Sequence, residues 1–163
     1  MKVIALIILV LIGLASFIFY NNSINKTSEQ VPKAEERVDY KASFIIFTNG
    51  TLRDFSEPKY HNRSEDVYIT SENPTEVIVK RKGITWQDFS NTLPTPMKLT
   101  KDCLTTGTDQ AFCSNEKGSL KFYLNGKRED DFLLKEIKNG DKTLITYGSE
   151  SEEQVQMQLK LLE

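Results

Sequence analysis

Cys103 and Cys113 are the two residues of this 163-residue chain best equipped for chemistry, and they are its only cysteines. Two thiols so close in sequence can close a disulfide, form a redox couple or contribute to a metal site. A redox couple needs a thiolate of lowered pKa, usually in a Cys-x-x-Cys arrangement at a helix start, and that spacing is absent. The favoured reading is a structural bridge across a hairpin loop, contributing on the order of 3 kcal/mol through loop closure. Redox activity and metal ligation stay as alternatives.

The other reactive residue types lack company. His61 is the only histidine, set in the polar run Lys59-Tyr60-His61-Asn62-Arg63, and reads as a loop residue. Glu129-Asp130-Asp131 is acidic but has no EF-hand spacing around it, so it reads as a solvated loop. Trp86 opens a helical segment and reads as a packing residue, with ligand stacking as the alternative. No P-loop, Gly-x-Gly-x-x-Gly, Gly-x-Ser-x-Gly or His-Glu-x-x-His motif is present. The expectation is a protein with no catalytic residues, no cofactor and no metal ligands.

The elements that must position these residues are mostly strands. Phe44-Ile45-Ile46-Phe47 runs into Asn49-Gly50, and Leu120 to Leu124 runs into Asn125-Gly126. Asn-Gly after an apolar run is a strong hairpin signal, because both central residues of a type I′ turn need positive φ. Asp66–Thr70 and Glu76–Lys80 read as strands joined by a turn at Ser71-Glu72-Asn73-Pro74. Thr85 and Asp88 have capping-box spacing, Ile84 and Phe89 that of a hydrophobic staple, and Pro94 and Pro96 end the helix. Leu99 to Phe112 reads as a hairpin about Thr106-Gly107-Thr108. A strand over Lys142–Tyr147 follows the turn Asn139-Gly140-Asp141. A final helix is expected from Ser149, with Glu152 completing its capping box and Val155, Leu159 and Leu162 as its apolar stripe. This order predicts an α+β domain with a mixed or antiparallel sheet, one short internal helix and a C-terminal helix, and it is also the order of a β-grasp-like topology.

Val3–Tyr20, VIALIILVLIGLASFIFY, carries no charge and would span about 27 Å as a helix, close to a bilayer core. Lys2 and Gly13-Leu14-Ala15 offer a cleaved signal peptide as the alternative, but the apolar run continues through Phe17, Ile18, Phe19 and Tyr20. Residues 1–20 therefore read as a transmembrane anchor, 21–39 as a polar flexible tether and 40–163 as one folded domain. Lys and Arg near the segment do not orient it. Lys26, Lys33 and Arg37 follow it, against Lys2 before it. The cysteine pair and the Asn-x-Ser/Thr sequons at Asn21, Asn25, Asn49 and Asn62, possible glycosylation sites, favour an extracytoplasmic domain. A net charge of −2 with no basic stripe argues against nucleic acid as a partner.

From Phe44 onward the chain resembles a family of small, uncharacterised, membrane-anchored archaeal proteins, some of which carry the name protein-disulfide isomerase. The resemblance rests on Thr48-Asn49-Gly50 with Asp54-Phe55-Ser56-Glu57-Pro58-Lys59-Tyr60, Gly83 to Phe89, Cys103 with Cys113, Leu120 to Gly126, and Asn139 to Gly148. These are turns and caps, so the resemblance implies an architecture and little chemistry. His-rich stretches in such relatives imply metal contact, but here the corresponding places read Lys41-Ala42-Ser43 and Val77-Ile78-Val79-Lys80. The expected function is a single-pass, membrane-anchored extracytoplasmic binding or assembly module. It would be held to the membrane by Val3–Tyr20 and partnered by another membrane or extracytoplasmic protein. A thiol–disulfide oxidoreductase using Cys103 and Cys113 and a metal-handling protein are the alternatives.

Overall fold

The computed structural model describes residues 16, 17 and 36–163. The expected anchor, Ser16 and Phe17 apart, lies outside the described residues, as do Asn21, Asn25 and the tether up to residue 35. Among the described residues no helix is long and apolar enough to cross a membrane. The chain divides into the units Met1–Glu35 and Glu36–Glu163, and the second is a mixed α+β fold, mostly sheet.

Its first strand, β1 (Arg37–Thr48), is long enough to serve several partners. Two-residue β2 (Thr51–Leu52) turns back on it through Asn49 and Gly50, whose φ values of 50° and 75° are the positive pair a type I′ turn demands. Strands β3 (Val67–Tyr68) and β4 (Glu76–Arg81) follow, then helix α1 (Trp86–Thr92). Strands β5 (Lys98–Leu99), β6 (Cys103–Thr105) and β7 (Ala111–Cys113) make a separate antiparallel sheet. Strands β8 (Ser119–Leu124), β9 (Lys127–Arg128) and β10 (Lys142–Gly148) return to the main sheet, and helix α2 (Glu152–Leu159) ends the domain.

The main sheet runs β3-β4-β1-β10-β8-β9, with β2 also on β1. β1 and β10 pair in parallel from Ser43↔Lys142 to Thr48↔Tyr147, whereas β4 against β1 and β8 against β10 are antiparallel. A strand carries alternate side chains on opposite faces, and both faces are covered here. Phe44 and Ile46 lie in the larger core with Trp86 and Phe89 of α1 and Leu104 of β6. Ile45, Phe47, Tyr123 and Leu144 pack on the other face against Val155 of α2, with Leu159 and Leu162 alongside.

Two expectations need correction. The tether was expected to reach residue 39, yet β1 starts at Arg37. Val38 and Tyr40 pack on the core, while Arg37 and Asp39 pair with Asp66 and Lys80. Helix α2 was expected to be capped by Ser149 and Glu152, yet its N-cap is Ser151 with Gln154 completing the box. Glu150 is drawn into a buried ion pair with Lys121, which keeps the residues before Ser151 out of the helix. The cap at Thr85 with Asp88 is as the spacing predicts.

Candidate functional site

The cysteine pair anchors one wall of the groove that best qualifies as a functional site. Cys103 and Cys113 stand directly opposite each other in the β6–β7 ladder and form a disulfide across the strands. Around the bridge the main chain is tied down. Thr100 N–H donates to Cys103 O at 2.8 Å, Ser114 N–H to Asp102 O at 2.8 Å and Asn115 Nδ2 to Cys113 O at 2.9 Å. This fixed hairpin base presents Asp102 and Ser114 to β8, where Leu120 N–H donates to Ser114 Oγ at 2.9 Å.

The opposite wall follows from a turn and an aromatic anchor. Asn125 and Gly126, at φ 53° and 78°, fold β9 back onto β8, but β9 reaches only Leu124 and Tyr123. Glu129 N–H still donates to Phe122 O at 3.0 Å. The chain then leaves the sheet because Phe132 enters the core, stacked between Trp86 and Phe122 with 5.2 Å between ring centroids on each side. Residues 119–122 of β8 are left without a strand on their outer side. The resulting groove has a volume of about 390 Å³ and is lined by Lys101, Asp102 and Ser114 on one wall, β8 on its floor, and Arg128, Asp130 and Asp131 on the other.

Lys121 holds this strand from behind. Its Nζ donates to Glu150 Oε2 at 2.8 Å and to Gly148 O at 3.1 Å, and the two side chains are 8% and 7% exposed. A charge so buried persists only when paired and hydrogen-bonded. Gly148 makes room for this arrangement, since a Cβ there would overlap the Glu150 carboxylate.

A second cavity, of about 130 Å³, lies between Arg53, Asp54, Tyr60, Met97 and Thr106, but Arg53 and Asp54 are already engaged by residues outside it. Ser56 occupies both Asp54 oxygens, which holds the Asp54 carboxyl below its ordinary pKa. Arg53 Nε donates to Thr48 Oγ1 at 2.6 Å, and its guanidinium sits 5.2 Å from the Phe112 ring centre. Tyr60 Oη occupies the space over Gly107 that a side chain would fill. The groove at β8, by contrast, has main-chain groups to offer.

The remaining sequence candidates are scattered. His61 bonds Phe55 O through Nε2 at 2.9 Å beside an exposed Asn62. Asn49 is exposed in its turn. Trp86 is buried as a packing residue. Of the acidic run, Asp130 and Asp131 line the groove, while Glu129 pairs with Lys135 at 3.4 Å. Among the described residues no three His, Cys, Asp or Glu side chains gather as a metal site would require. Sequence reasoning pointed to sheet edges as contact surfaces but missed Lys121 and that β8 carries the open edge. A lysine between Leu120 and Phe122 was the available signal for the first. Comparison with protein-family models, curated proteins and solved structures finds no match to this chain.

Proposed function

We propose that this chain is a single-pass, membrane-anchored binding or assembly module whose domain faces the extracytoplasmic side and engages another membrane or extracytoplasmic protein. The observation that carries the reading is the groove along residues 119–122 of β8, where an open strand edge is flanked by two fixed walls. Strand edges bind partners through main-chain hydrogen bonds. The uncharged run Val3–Tyr20 and the cysteine pair support the placement. A central parallel pair between antiparallel neighbours, with a helix after the second long strand, supports a β-grasp-like fold. Anchoring raises the module's effective concentration for partners in the same membrane.

The test places a photo-reactive residue at Asp131 in the full chain, in native membranes, with the same residue at Glu72 in the β3–β4 turn as control. The expected result is a discrete cross-linked product from position 131 and none from 72, with protease reaching the domain only from the extracytoplasmic side. Absence of a product at 131, or digestion from the cytoplasmic side, overturns the reading. Cys103→Ser separates it from an oxidoreductase. A folded variant that still cross-links supports a module, whereas lost thiol–disulfide exchange activity supports the enzyme.

A further inference from the structure

Resting on the module reading, we infer that the groove accepts an extended segment of another polypeptide running parallel to β8, with one residue bridging Leu120 C=O and Phe122 N–H. The hydrogen-bonding pattern of β8 dictates this direction. Asn125 N–H donates to Lys142 O, so in the antiparallel ladder the odd-numbered residues of β8 face β10 and Leu120, Phe122 and Leu124 face outward. Leu124 is paired with Lys127 of β9. Leu120 N–H is taken by Ser114 Oγ and Phe122 O by Glu129 N–H. Leu120 C=O and Phe122 N–H remain, and among the described residues neither meets a partner.

An antiparallel neighbour would need both groups of one residue, Leu120 or Phe122, and each residue has one group already engaged. A parallel neighbour needs the C=O of one residue and the N–H of the residue two further on, which is the pair left open. The same logic disfavours a second copy of this chain, because two β8 edges related by a two-fold axis run antiparallel. The four residues 119–122 span about 13 Å at ~3.3 Å per residue, and the 390 Å³ groove lies along them. An unpaired N–H and C=O between fixed walls form a template for one short strand.

The test uses the full chain, ¹⁵N-labelled in detergent micelles, and a displayed library of random eight-residue peptides selected against it. The strongest selected peptide is expected to slow Phe122 amide exchange at least tenfold and leave Leu124 unchanged. It should give parallel cross-strand proton contacts and lose at least tenfold in affinity when one residue is N-methylated. Glu72→Ala, an exposed change in the β3–β4 turn outside the groove, should keep binding within about twofold. A library that yields no binder, a binder that leaves Phe122 exchange unchanged, or an antiparallel pattern overturns the inference. So does Phe122 protection without peptide, whether it rises with protein concentration, as a second copy would produce, or disappears when residues 1–35 are removed. A cross-link from position 131 with unchanged Phe122 exchange would leave the module standing and remove only the strand mode.

Discussion

Lys121 and Glu150 offer the sharpest energetic test of how this domain is held. At 2.8 Å and an effective dielectric of 20, the gross attraction between the two charges is about 6 kcal/mol. Desolvating both consumes much of that, so the pair's net worth is small while the cost of orphaning one member is large, about 3–5 kcal/mol. Glu150→Gln should therefore destabilise by about 3 kcal/mol, because the ammonium stays buried with Gly148 O as its remaining partner. Lys121→Met should cost about as much, because it strands the carboxylate. The double variant should cost at least ~2 kcal/mol less than the sum of the singles, since neither charge is then left alone. Urea unfolding followed by Trp86 fluorescence is a direct assay, because Trp86 is the only tryptophan and is buried. Single-variant losses below 1 kcal/mol, the range of exposed pairs, or additivity within about 0.5 kcal/mol would refute the reasoning.

Four further outcomes are expected. Replacing both cysteines with Ala should lower stability by roughly 2–3 kcal/mol, since the bridge closes a loop of sequence separation 10; equilibrium unfolding measures it. Gly107→Ala should cost about 1–3 kcal/mol by forcing Tyr60 aside, and Tyr60→Phe should relieve most of that penalty because the overlapping atom is the phenol oxygen. Without a partner, the Phe122 amide should exchange faster than those of Lys121 and Tyr123, which face β10; amide-resolved hydrogen exchange decides it. Burial raises the Tyr123 pKa above 10.0, so its contribution to stability is whole below pH 10 and is lost as pH rises further, where the unfolded chain ionises first. Stability measured from pH 9 to 11 should fall less steeply in Tyr123→Phe.

Local chemistry was the legible part of the sequence. The Asn-Gly turns, the Thr85 cap and the Val155–Leu159–Leu162 stripe depend on residues within a few positions, and each appears in place. What was not legible depends on distant pairing. Ser149 and Ser151 both stand three residues before a side chain that can complete a capping box, and only Lys121, 29 residues upstream of Glu150, breaks the tie. Arg37 and Asp39 look like tether residues until Asp66, Lys80 and Arg81 arrive across the sheet. The groove was less accessible still, because its offer to a partner consists of main-chain groups that every sequence possesses. Only the short reach of β9 and the capture of Leu120 N–H by Ser114 single them out.

The two sides of the sheet are finished differently, and the contrast bears on which one is used. Open edges invite stray pairing, and charged side chains are one way of blunting them. On the β3–β4 side, Asp66 pairs with both Arg37 and Arg81, Lys80 with Asp39, Lys82 with Glu36 and Lys41 with Glu76. Each exposed pair adds little stability alone, yet together they set charges across the margin that an incoming strand would have to desolvate. On the β8 side the strand's own charge, Lys121, is turned away to Glu150, the charges of Lys101, Asp102, Arg128, Asp130 and Asp131 belong to the groove's walls, and the hairpin base beside the strand is stapled by a disulfide. Opening the charged margin, for example with Asp66→Asn, should therefore promote self-association through β3 and β4. Light scattering should detect it, and Phe122 amide exchange should not change. If instead Asp66→Asn leaves the protein monodisperse while a β8-side variant such as Arg128→Thr drives association, the margins have been assigned the wrong way round.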